Sequence, residues 1–430
     1  MRVAGPWGAM PGSSRARRAV LRLGARVVRA VLTRYARGGA PPAVAGGGRS
    51  VTILLMSAWG LGGTIRSTLG LASHLAARHD VEVLSLVRRR EEPRFAFPPG
   101  VVVTAVDDRR PGVRAGPLER LLRRVPSALM TPADHGARAL SLWTDVRLAG
   151  LLRRAPAGIL LATRPGLNVI AAEASPDRLV AVGVEHMHLS AHPPRLTAEI
   201  RRAYPRLAAL VVLTEADRRE YARARGAAPR GERIPNAVPR HDGPAARPDA
   251  ERILAAGRLT AQKGFDRLVP AFARVAAAHP GWTLRICGGG PERGALRRLA
   301  REHGLGGRLE LAGPVADVQA EMAEASLFVL SSRYEGLPMV LLEAMDKGMA
   351  VVSFDCPTGP RELIDDHRNG ILVAPGDVEG LADAMLELIE DPALRRRCGA
   401  AARETAREYA MEAVGPRWDR LLGSLSGARA

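Results

Sequence analysis

Two carboxylates eight positions apart are the residues best suited to do chemistry. Glu335 and Glu343 stand on either side of a Gly-Leu-Pro turn, within the stretch SSRYEGLPMVLLEAMDK of residues 331–347. Pro338 suits the first turn of a helix, because the N–H that it lacks would have no partner there. On such a helix Glu343 lies about 12 Å beyond Glu335. Glycosidase carboxyl pairs are about 5–9.5 Å apart, so this spacing indicates separate contacts with a sugar and a ribose along one elongated ligand.

A pair of cations forms the second candidate site, in AAGRLTAQKGFDRL at residues 255–268. Arg258 follows a strand pattern and Lys263 immediately precedes a helix pattern. Cations so placed can bind a diphosphate and stabilise the negative charge that develops as it leaves. The alternative is two exposed basic residues in a loop. Only Lys263 and Lys347 are lysines among 63 basic residues, and this rarity favours a functional Lys263.

A glycine-rich turn follows the strand pattern VTILLM of residues 51–56. Gly62 and Gly63, in GLGGT, allow a ligand to approach the backbone closely at a strand-to-helix turn. The turn is not GxGxxG, and no acidic residue ends the next strand, VEVLSLV, so a nicotinamide site is disfavoured.

Three histidines lie close together in VGVEHMHLSAH, at positions 186, 188 and 192. An H-x-H pair at a strand end directs its two rings to opposite faces. Since no cysteine or carboxylate pattern completes a ligand set, no metal site is expected. His186 is the first candidate for a functional role, and a structural histidine is the alternative.

Taken together, these motifs resemble the retaining glycosyltransferases of the GT-B fold, of the group 1 or family 4 type, whose signature is two glutamates with seven residues between them. The resemblance covers residues 51–425 and is strongest in 253–375. It implies an α/β protein of two Rossmann-like, doubly wound domains that face each other across a cleft. It further implies an enzyme that transfers a sugar with retention, from a nucleotide-diphosphate sugar to a hydroxyl acceptor. The use of arginine almost to the exclusion of lysine suggests a GC-rich bacterial genome. Because no Asp-x-Asp motif lies near the site, no metal or other cofactor is expected.

The resemblance also assigns roles to residues. Arg258 and Lys263 would hold the diphosphate, Glu335 the sugar and Glu343 the ribose, and His186 would face the sugar. The expected catalytic residues are Glu335, His186, Arg258 and Lys263. The expected donor-binding residues are Gly62, Gly63, Arg258, Lys263, Val315, Glu335, Gly336, Leu337, Pro338 and Glu343.

Strand and helix patterns alternate along most of the chain, which predicts parallel sheets. A stretch rich in proline, glycine and charge, at residues 240–250, is the best linker candidate. The predicted domains are a basic arm at 1–48, an acceptor domain at 49–238, a donor domain at 251–402 and a returning C-terminal helix at 403–430.

The excess positive charge is uneven. The net charge is +19, and residues 1–50 hold ten arginines without an acidic residue. A helix predicted at 16–37 places Val20, Leu23, Val27, Val31 and Tyr35 on one side and Arg18, Arg22, Arg26 and Arg29 on another. That pattern is typical of an interfacial membrane helix; a disordered tail and a misplaced start are the alternatives. We therefore expect a cytoplasmic protein, with peripheral contact to anionic membrane at its inner face through residues 1–48.

Other functions fit the sequence less well. The acceptor class stays open between a glycan or lipid-linked glycan of the cell surface and a small molecule such as an inositol phosphate. A sugar-nucleotide epimerase and a phosphorylase share the fold, although for a pyridoxal lysine only Lys347 would remain. A pI near 11.2 permits weak binding of nucleic acid, but only 4% of residues are aromatic and no stacking platform is present, so no nucleic-acid partner is expected.

Overall fold

The computed structural model describes residues 15–39, 49–225, 231–239 and 243–427, without the side chains of 15–22, 49, 225, 426 and 427. The chain packs into two compact units. Unit 1 holds the described residues up to Val212, with Arg218–Glu232 and the chain from Trp418. Unit 2 holds Leu213–Asp217 and Arg233–Arg417. Packing into units does not test independent folding, so the domain limits named above stay predictions.

Unit 1 is built on a seven-stranded sheet. In chain order its elements are α1 (Arg15–Arg37), β1 (Arg49–Leu55), α2 (Gly63–Ala76), β2 (His79–Arg88), β3 (Val101–Asp108), α3 (Pro117–Arg123), α4 (Leu142–Arg154), β4 (Gly158–Ala162), α5 (Pro165–Ala174), β5 (Leu179–Val184), α6 (Pro194–Ala203), β6 (Ala209–Val212), α7 (Glu215–Arg225) and β7 (Gly231–Arg233). The first turn of α7, up to Asp217, and the last residue of β7 belong to unit 2. The strand order is β3-β2-β1-β4-β5-β6-β7. Central strands such as β6 are buried at every position, as parallel strands covered on both faces are.

Unit 2 repeats this architecture with six strands. Its elements are β8 (Arg252–Ala256), α8 (Phe265–Ala278), β9 (Thr283–Cys287), α9 (Arg293–Glu302), β10 (Leu309–Gly313), α10 (Val318–Ala323), β11 (Leu327–Leu330), α11 (Met339–Asp346), β12 (Ala350–Phe354), α12 (Pro360–Leu363), β13 (Ile371–Val373), α13 (Val378–Glu390), α14 (Pro392–Arg407) and α15 (Met411–Gly427). Only the part of α15 up to Arg417 belongs to unit 2, since the chain from Trp418 belongs to unit 1. The order β10-β9-β8-β11-β12-β13 is that of a doubly wound Rossmann sheet. The prediction of two Rossmann-like α/β units is confirmed.

The strand order decides which loops meet. β8 pairs in parallel with both β9 and β11, so the strand order reverses direction at β8. The loops that follow β8 and β11 therefore leave the same edge of the sheet about 4.8 Å apart. Ligands of open α/β sheets bind at such a switch point, and both predicted charged motifs lie there.

The N-terminal helix is part of the folded unit. α1 packs against α4 and α5, and Ala36 is fully buried in the core of unit 1. Arg29 forms an ion pair of 2.6 Å with Glu173 of α5. The helix predicted at 16–37 is thus present, and a disordered tail is wrong for residues 15–37. The side chains of Val20, Arg18 and Arg22 lie outside the described residues.

The C-terminal helix predicted at 403–430 is divided between two helices. α14 ends at Arg407 and α15 begins at Met411, with Tyr409 buried between them. The Tyr409 hydroxyl donates to the carbonyl of Glu362 at 3.1 Å, which fixes the break. Among the described residues, no helix has both the length and the apolar character that crossing a bilayer requires.

Candidate active site

Lys263 and Glu335 form an ion pair at the switch point of unit 2. The distance from Lys263 Nζ to Glu335 Oε1 is 2.6 Å. The Glu335 side chain is 8% exposed and that of Lys263 is 18% exposed, so water screens this pair only in part. The two motifs that the sequence singled out are therefore one site.

The backbone of the two loops is interlocked around this pair. Gly264 has φ 65°, and a Cβ at this position would lie 2.0 Å from the carbonyl oxygen of Ser331. Ser331 Oγ donates to the carbonyl of Lys263 at 3.0 Å. Arg333 N–H donates to the carbonyl of Gln262 at 2.8 Å. These contacts explain why glycine follows Lys263, and they hold the ammonium in a fixed position.

A serine that the sequence did not single out completes the environment of Glu335. Ser332 Oγ donates to Glu335 Oε1 at 2.6 Å, in addition to the lysine. The Glu335 N–H donates to the carbonyl of Pro357 at 2.7 Å. The carboxylate thus has both a cation and a hydroxyl on one oxygen. A serine three residues before a glutamate is too common a pattern to have revealed this contact.

Arg258 lies at the end of β8 on the same edge. Its side chain is exposed, as expected of a cation that meets a ligand rather than the core. The glycine turn after β9 packs directly against this loop, since a Cβ on Gly288 would lie 1.8 Å from the carbonyl oxygen of Gly257. The Leu259 N–H donates to the carbonyl of Gly289 at 3.0 Å. These glycines serve close packing of the loops behind Arg258.

Glu343 lies in the middle of α11, 6% exposed. Gln319, on α10, donates from Nε2 to Glu343 Oε2 at 3.1 Å. Gln319 is itself 5% exposed, so it holds the carboxylate in one orientation. Sequence reasoning missed Gln319, because α10 and α11 become neighbours only through the order of the strands.

The turn between the glutamates enters α11 as expected, with a small shift. Pro338 is the residue that caps α11, and the helix begins at Met339. The carbonyl of Pro338 accepts from the N–H groups of Leu341 and Leu342. Leu337 is 6% exposed and packs in the apolar cluster of unit 2; its side chain belongs to the core.

Three of the expected donor-binding residues, Val315, Gly62 and Gly63, lie after strands of their own units. Val315 follows β10, half-buried against the apolar cluster of unit 2. Gly62 and Gly63 follow β1 and open α2. Gly62 has φ 153°, a conformation that favours glycine. Both segments therefore leave the carboxyl edge of a sheet, where ligands of this fold bind.

His186 follows β5 in unit 1, and its Nε2 atom is buried although the residue keeps some exposure. Desolvation lowers its pKa to about 4, because burial penalises the charged imidazolium. The imidazole is therefore neutral at pH 7. A neutral ring can donate or accept one hydrogen bond, but it does not bring a positive charge to a ligand.

A buried polar network lies beside His186, and the sequence did not indicate it. Asn168 Nδ2 donates to Glu185 Oε1 at 2.9 Å, and the Tyr204 hydroxyl donates to the same oxygen. His192 Nε2 lies 3.7 Å from Glu185 Oε2 and 3.2 Å from the Tyr221 hydroxyl. His192 thus belongs to this structural network rather than to a metal site. Within the described residues, no group of three or more His, Cys, Asp or Glu side chains is placed to hold a metal ion.

Glu362, on α12, has a structural role in unit 2. Its Oε1 accepts from the N–H of Glu215 at 2.8 Å, and its Oε2 pairs with Arg233 at 2.9 Å. The carboxylate therefore caps the first turn of α7, where negative charge is favourable.

The site geometry agrees with a comparison to known families. Residues 240–405 match the family described as glycosyl transferases group 1. The match contains Arg258, Lys263, Glu335 and Glu343, and it supports the prediction of a glycosyltransferase.

Two relatives and one solved structure extend the comparison. The chain is 37% identical to an exopolysaccharide phosphotransferase of Streptomyces coelicolor, over 88% of this chain and 41% of that protein. It is 34% identical to the amylovoran biosynthesis glycosyltransferase AmsD of Erwinia amylovora, over 40% of this chain and 48% of that protein. The chain thus spans about half the length, or less, of these relatives. A crystal structure of Anabaena HepE with UDP and glucose aligns with a TM-score of 0.68 at 19% identity, over 87% of this chain and all of that one. The GT-B fold is confirmed.

Proposed function

We propose that this protein is a retaining glycosyltransferase that moves a sugar from a nucleotide-diphosphate sugar to a hydroxyl group of a cell-surface polysaccharide or glycolipid precursor. The observation that carries the proposal is the Lys263–Glu335 ion pair at the switch point of a group 1 domain. It places a cation and a carboxylate side by side where the leaving phosphate and the reacting sugar of one donor would meet.

The proposed roles follow from the charges and contacts of each side chain. An ammonium has three donors, and Lys263 uses one on Glu335. The other two are available to diphosphate oxygens, together with the exposed Arg258. Glu335 accepts hydrogen bonds and would take one from a hydroxyl of the donor sugar. Glu343, held by Gln319, would accept from the ribose hydroxyls.

The proposed reaction occurs on one face of the sugar. The acceptor oxygen bonds to the anomeric carbon as the bond from that carbon to the diphosphate oxygen breaks. The leaving phosphate takes the proton of the acceptor hydroxyl, and the anomeric configuration is retained. Lys263 and Arg258 stabilise the charge on the departing diphosphate, so we propose that no divalent cation is needed.

Unit 1 is proposed to contribute Gly62, Gly63 and the neutral His186. One relative is named an exopolysaccharide phosphotransferase and the other an amylovoran biosynthesis glycosyltransferase. Both names favour a glycan acceptor over an inositol phosphate, and transfer over epimerisation. The HepE structure contains UDP and glucose, which makes UDP-sugars the first donors to test. Residues 1–48 are proposed to contact anionic membrane, where a lipid-linked acceptor would lie.

The test is a donor screen with purified protein. Thermal stabilisation and slow hydrolysis of the donor are measured with UDP-, GDP- and ADP-sugars, with and without EDTA. We expect one donor class to stabilise the protein and to be hydrolysed equally in EDTA, with the product released in the donor's anomeric configuration by NMR. Lys263→Ala should abolish both effects, whereas Arg298→Ala, on the exposed surface of α9, should not. A donor product of inverted configuration would overturn the retaining mechanism.

A further inference from the structure

The outer face of α1 exposes a stripe of large apolar side chains. Leu23, Val27, Val31 and Tyr35 recur every four residues and are 62%, 55%, 61% and 46% exposed. The opposite face packs into unit 1 through Leu32 and Ala36. The helix is therefore apolar on both sides, and packing within unit 1 accounts for only one of them.

The stripe is rigidly presented rather than free to fold back. The Arg29–Glu173 ion pair fixes the middle of α1 on α5. Near its end, the Arg153 guanidinium lies 4.7 Å from the centre of the Tyr35 ring and donates to the Tyr35 carbonyl at 3.1 Å. Both contacts hold α1 on unit 1. The Tyr35 ring, at the end of the stripe, is thus partly covered by Arg153, whereas Leu23, Val27 and Val31 stay exposed.

The charge around the stripe has one sign. Arg26, Arg34 and Arg37 are exposed beside it, and the 23 residues of α1 include no acidic residue. Arginines beside an apolar face are what an anionic lipid surface attracts, since headgroups pair with the guanidinium groups while the apolar side chains enter the acyl boundary.

A second helix of unit 1 repeats this pattern. α3 also packs against α4, and its Leu118 and Leu121 are 62% and 59% exposed. Exposed Arg120 and Arg124 accompany them. Leu118 and Leu121 are three residues apart, which places them on one face of the helix.

We propose that the α1 stripe, assisted by the apolar face of α3, binds this protein to the surface of an anionic bilayer. The apolar side chains enter the interface, and the chain does not span the membrane. The proposal rests on the membrane contact suggested above for residues 1–48 and specifies the face that makes it. It also changes which residues matter: Arg29 serves the packing of α1 on α5, whereas Arg26 and Arg34 meet lipid.

A second copy of this chain is the competing occupant, and the charges disfavour it. Pairing two α1 stripes would bring Arg26 and Arg34 of one copy beside positive side chains of the other. Like charges in contact destabilise such a helix pair, and α1 offers no carboxylate to offset them.

The test measures cosedimentation of the full chain with vesicles. Phosphatidylglycerol–phosphatidylcholine vesicles are compared with phosphatidylcholine alone, at low and moderate salt. Point variants are used because deleting residues 1–48 would uncover the surface that Ala36 and Leu32 bury. Leu23→Ser/Val27→Ser/Val31→Ser should weaken binding to anionic vesicles roughly tenfold or more, without lowering the melting temperature. Val102→Ser, with 62% exposure on β3, is the matched control and should bind as wild type.

Further variants separate the contributions. Arg26→Gln/Arg34→Gln should weaken binding to anionic vesicles roughly tenfold and reduce its salt dependence. Leu118→Ser/Leu121→Ser should weaken binding to anionic vesicles by a smaller factor. Unchanged binding by this variant would show that α3 does not contribute to the membrane contact. Wild-type binding by the triple serine variant would overturn the proposal. So would a dimer in sedimentation velocity that this variant dissociates without any change in vesicle binding.

Donor hydrolysis is measured on the same samples. Loss of vesicle binding with hydrolysis intact is the expected result for the triple serine variant. Vesicle binding by wild type without hydrolysis of any donor would support membrane binding through α1 and contradict the glycosyltransferase assignment. The two proposals can therefore fail separately.

Discussion

Lys263 Nζ lies 2.6 Å from Glu335 Oε1, although the two residues are 72 positions apart in the chain. The pair joins the loop after β8 to the loop after β11, and each side chain has its polar end at the edge where the strand order reverses. We therefore expect a change in either residue to alter both the proposed diphosphate contact and the proposed sugar contact.

Removing the ammonium should abolish most transfer. Lys263→Ala deletes a cation next to the leaving diphosphate and leaves the Glu335 carboxylate with Ser332 as its remaining side-chain donor. We expect a loss of about 2–4 kcal/mol of transition-state stabilisation, measured as kcat/KM, with the circular dichroism spectrum unchanged. Lys263→Arg should recover only part of it, because a planar guanidinium does not replace a compact ammonium. Turnover near wild type in Lys263→Ala would remove the diphosphate assignment.

Substitutions of the two glutamates should affect different kinetic constants. Glu335→Gln should chiefly lower kcat, since Glu335 contacts the sugar that reacts. Glu343→Gln should chiefly raise KM for the donor, because a ribose contact is equal in the ground and transition states. Gln319→Leu should resemble a mild Glu343→Gln, since it removes the donor that orients Glu343. Steady-state kinetics with varied donor decides this, and identical signatures for the two glutamate variants would refute the division of roles.

The glycine after Lys263 should be indispensable. In Gly264→Ala the Cβ would meet the carbonyl oxygen of Ser331 at 2.0 Å, on a backbone with φ 65°. We expect a fall of roughly 2 kcal/mol or more in the free energy of unfolding and weaker donor binding, because the two loops must separate. Gly306→Ala is the matched control: nothing lies within 4 Å of its Cβ position. Chemical denaturation of both variants tests this, and equal stability would mean that the loops adjust freely.

His186 should make stability depend on pH in a defined direction. Its folded-state pKa of about 4 lies below the ordinary value of 6.5. Between these values the unfolded chain takes up a proton that the folded chain does not, so stability falls as pH drops from about 6.5 towards about 4. A His186→Gln variant should lose less stability than wild type over this range.

Melting temperatures of wild type and His186→Gln at pH 7.5, 6 and 5 measure this difference. The difference in melting temperature between wild type and His186→Gln should become smaller as pH falls, or the variant should become the more stable of the two. A melting-temperature difference that does not depend on pH would show that folding does not lower the pKa of His186. Transfer by wild type should show no loss from His186 protonation between pH 7.5 and 5.5.

Local sequence patterns determined much of the fold. The strand pattern at 51–56 and the helix predicted at 16–37 agree with β1 and α1 to within two residues, because hydrophobic periodicity acts within a few residues. The same reasoning found Lys263 and Glu335, since a lysine in an arginine-rich chain and two glutamates around a helix start are visible without any partner.

Tertiary structure alone decided the contacts between distant segments. Ser332 and Gln319 became part of the site because parallel pairing of β8 with β11, and the packing of α10 beside α11, brought them to the two carboxylates. The sequence likewise predicted an amphipathic α1. It did not predict that Arg29 would form an ion pair with Glu173 while the α1 stripe stayed exposed. Residue type and spacing specify what a side chain can bind, whereas the order of the strands and the packing of the helices determine which partner it meets.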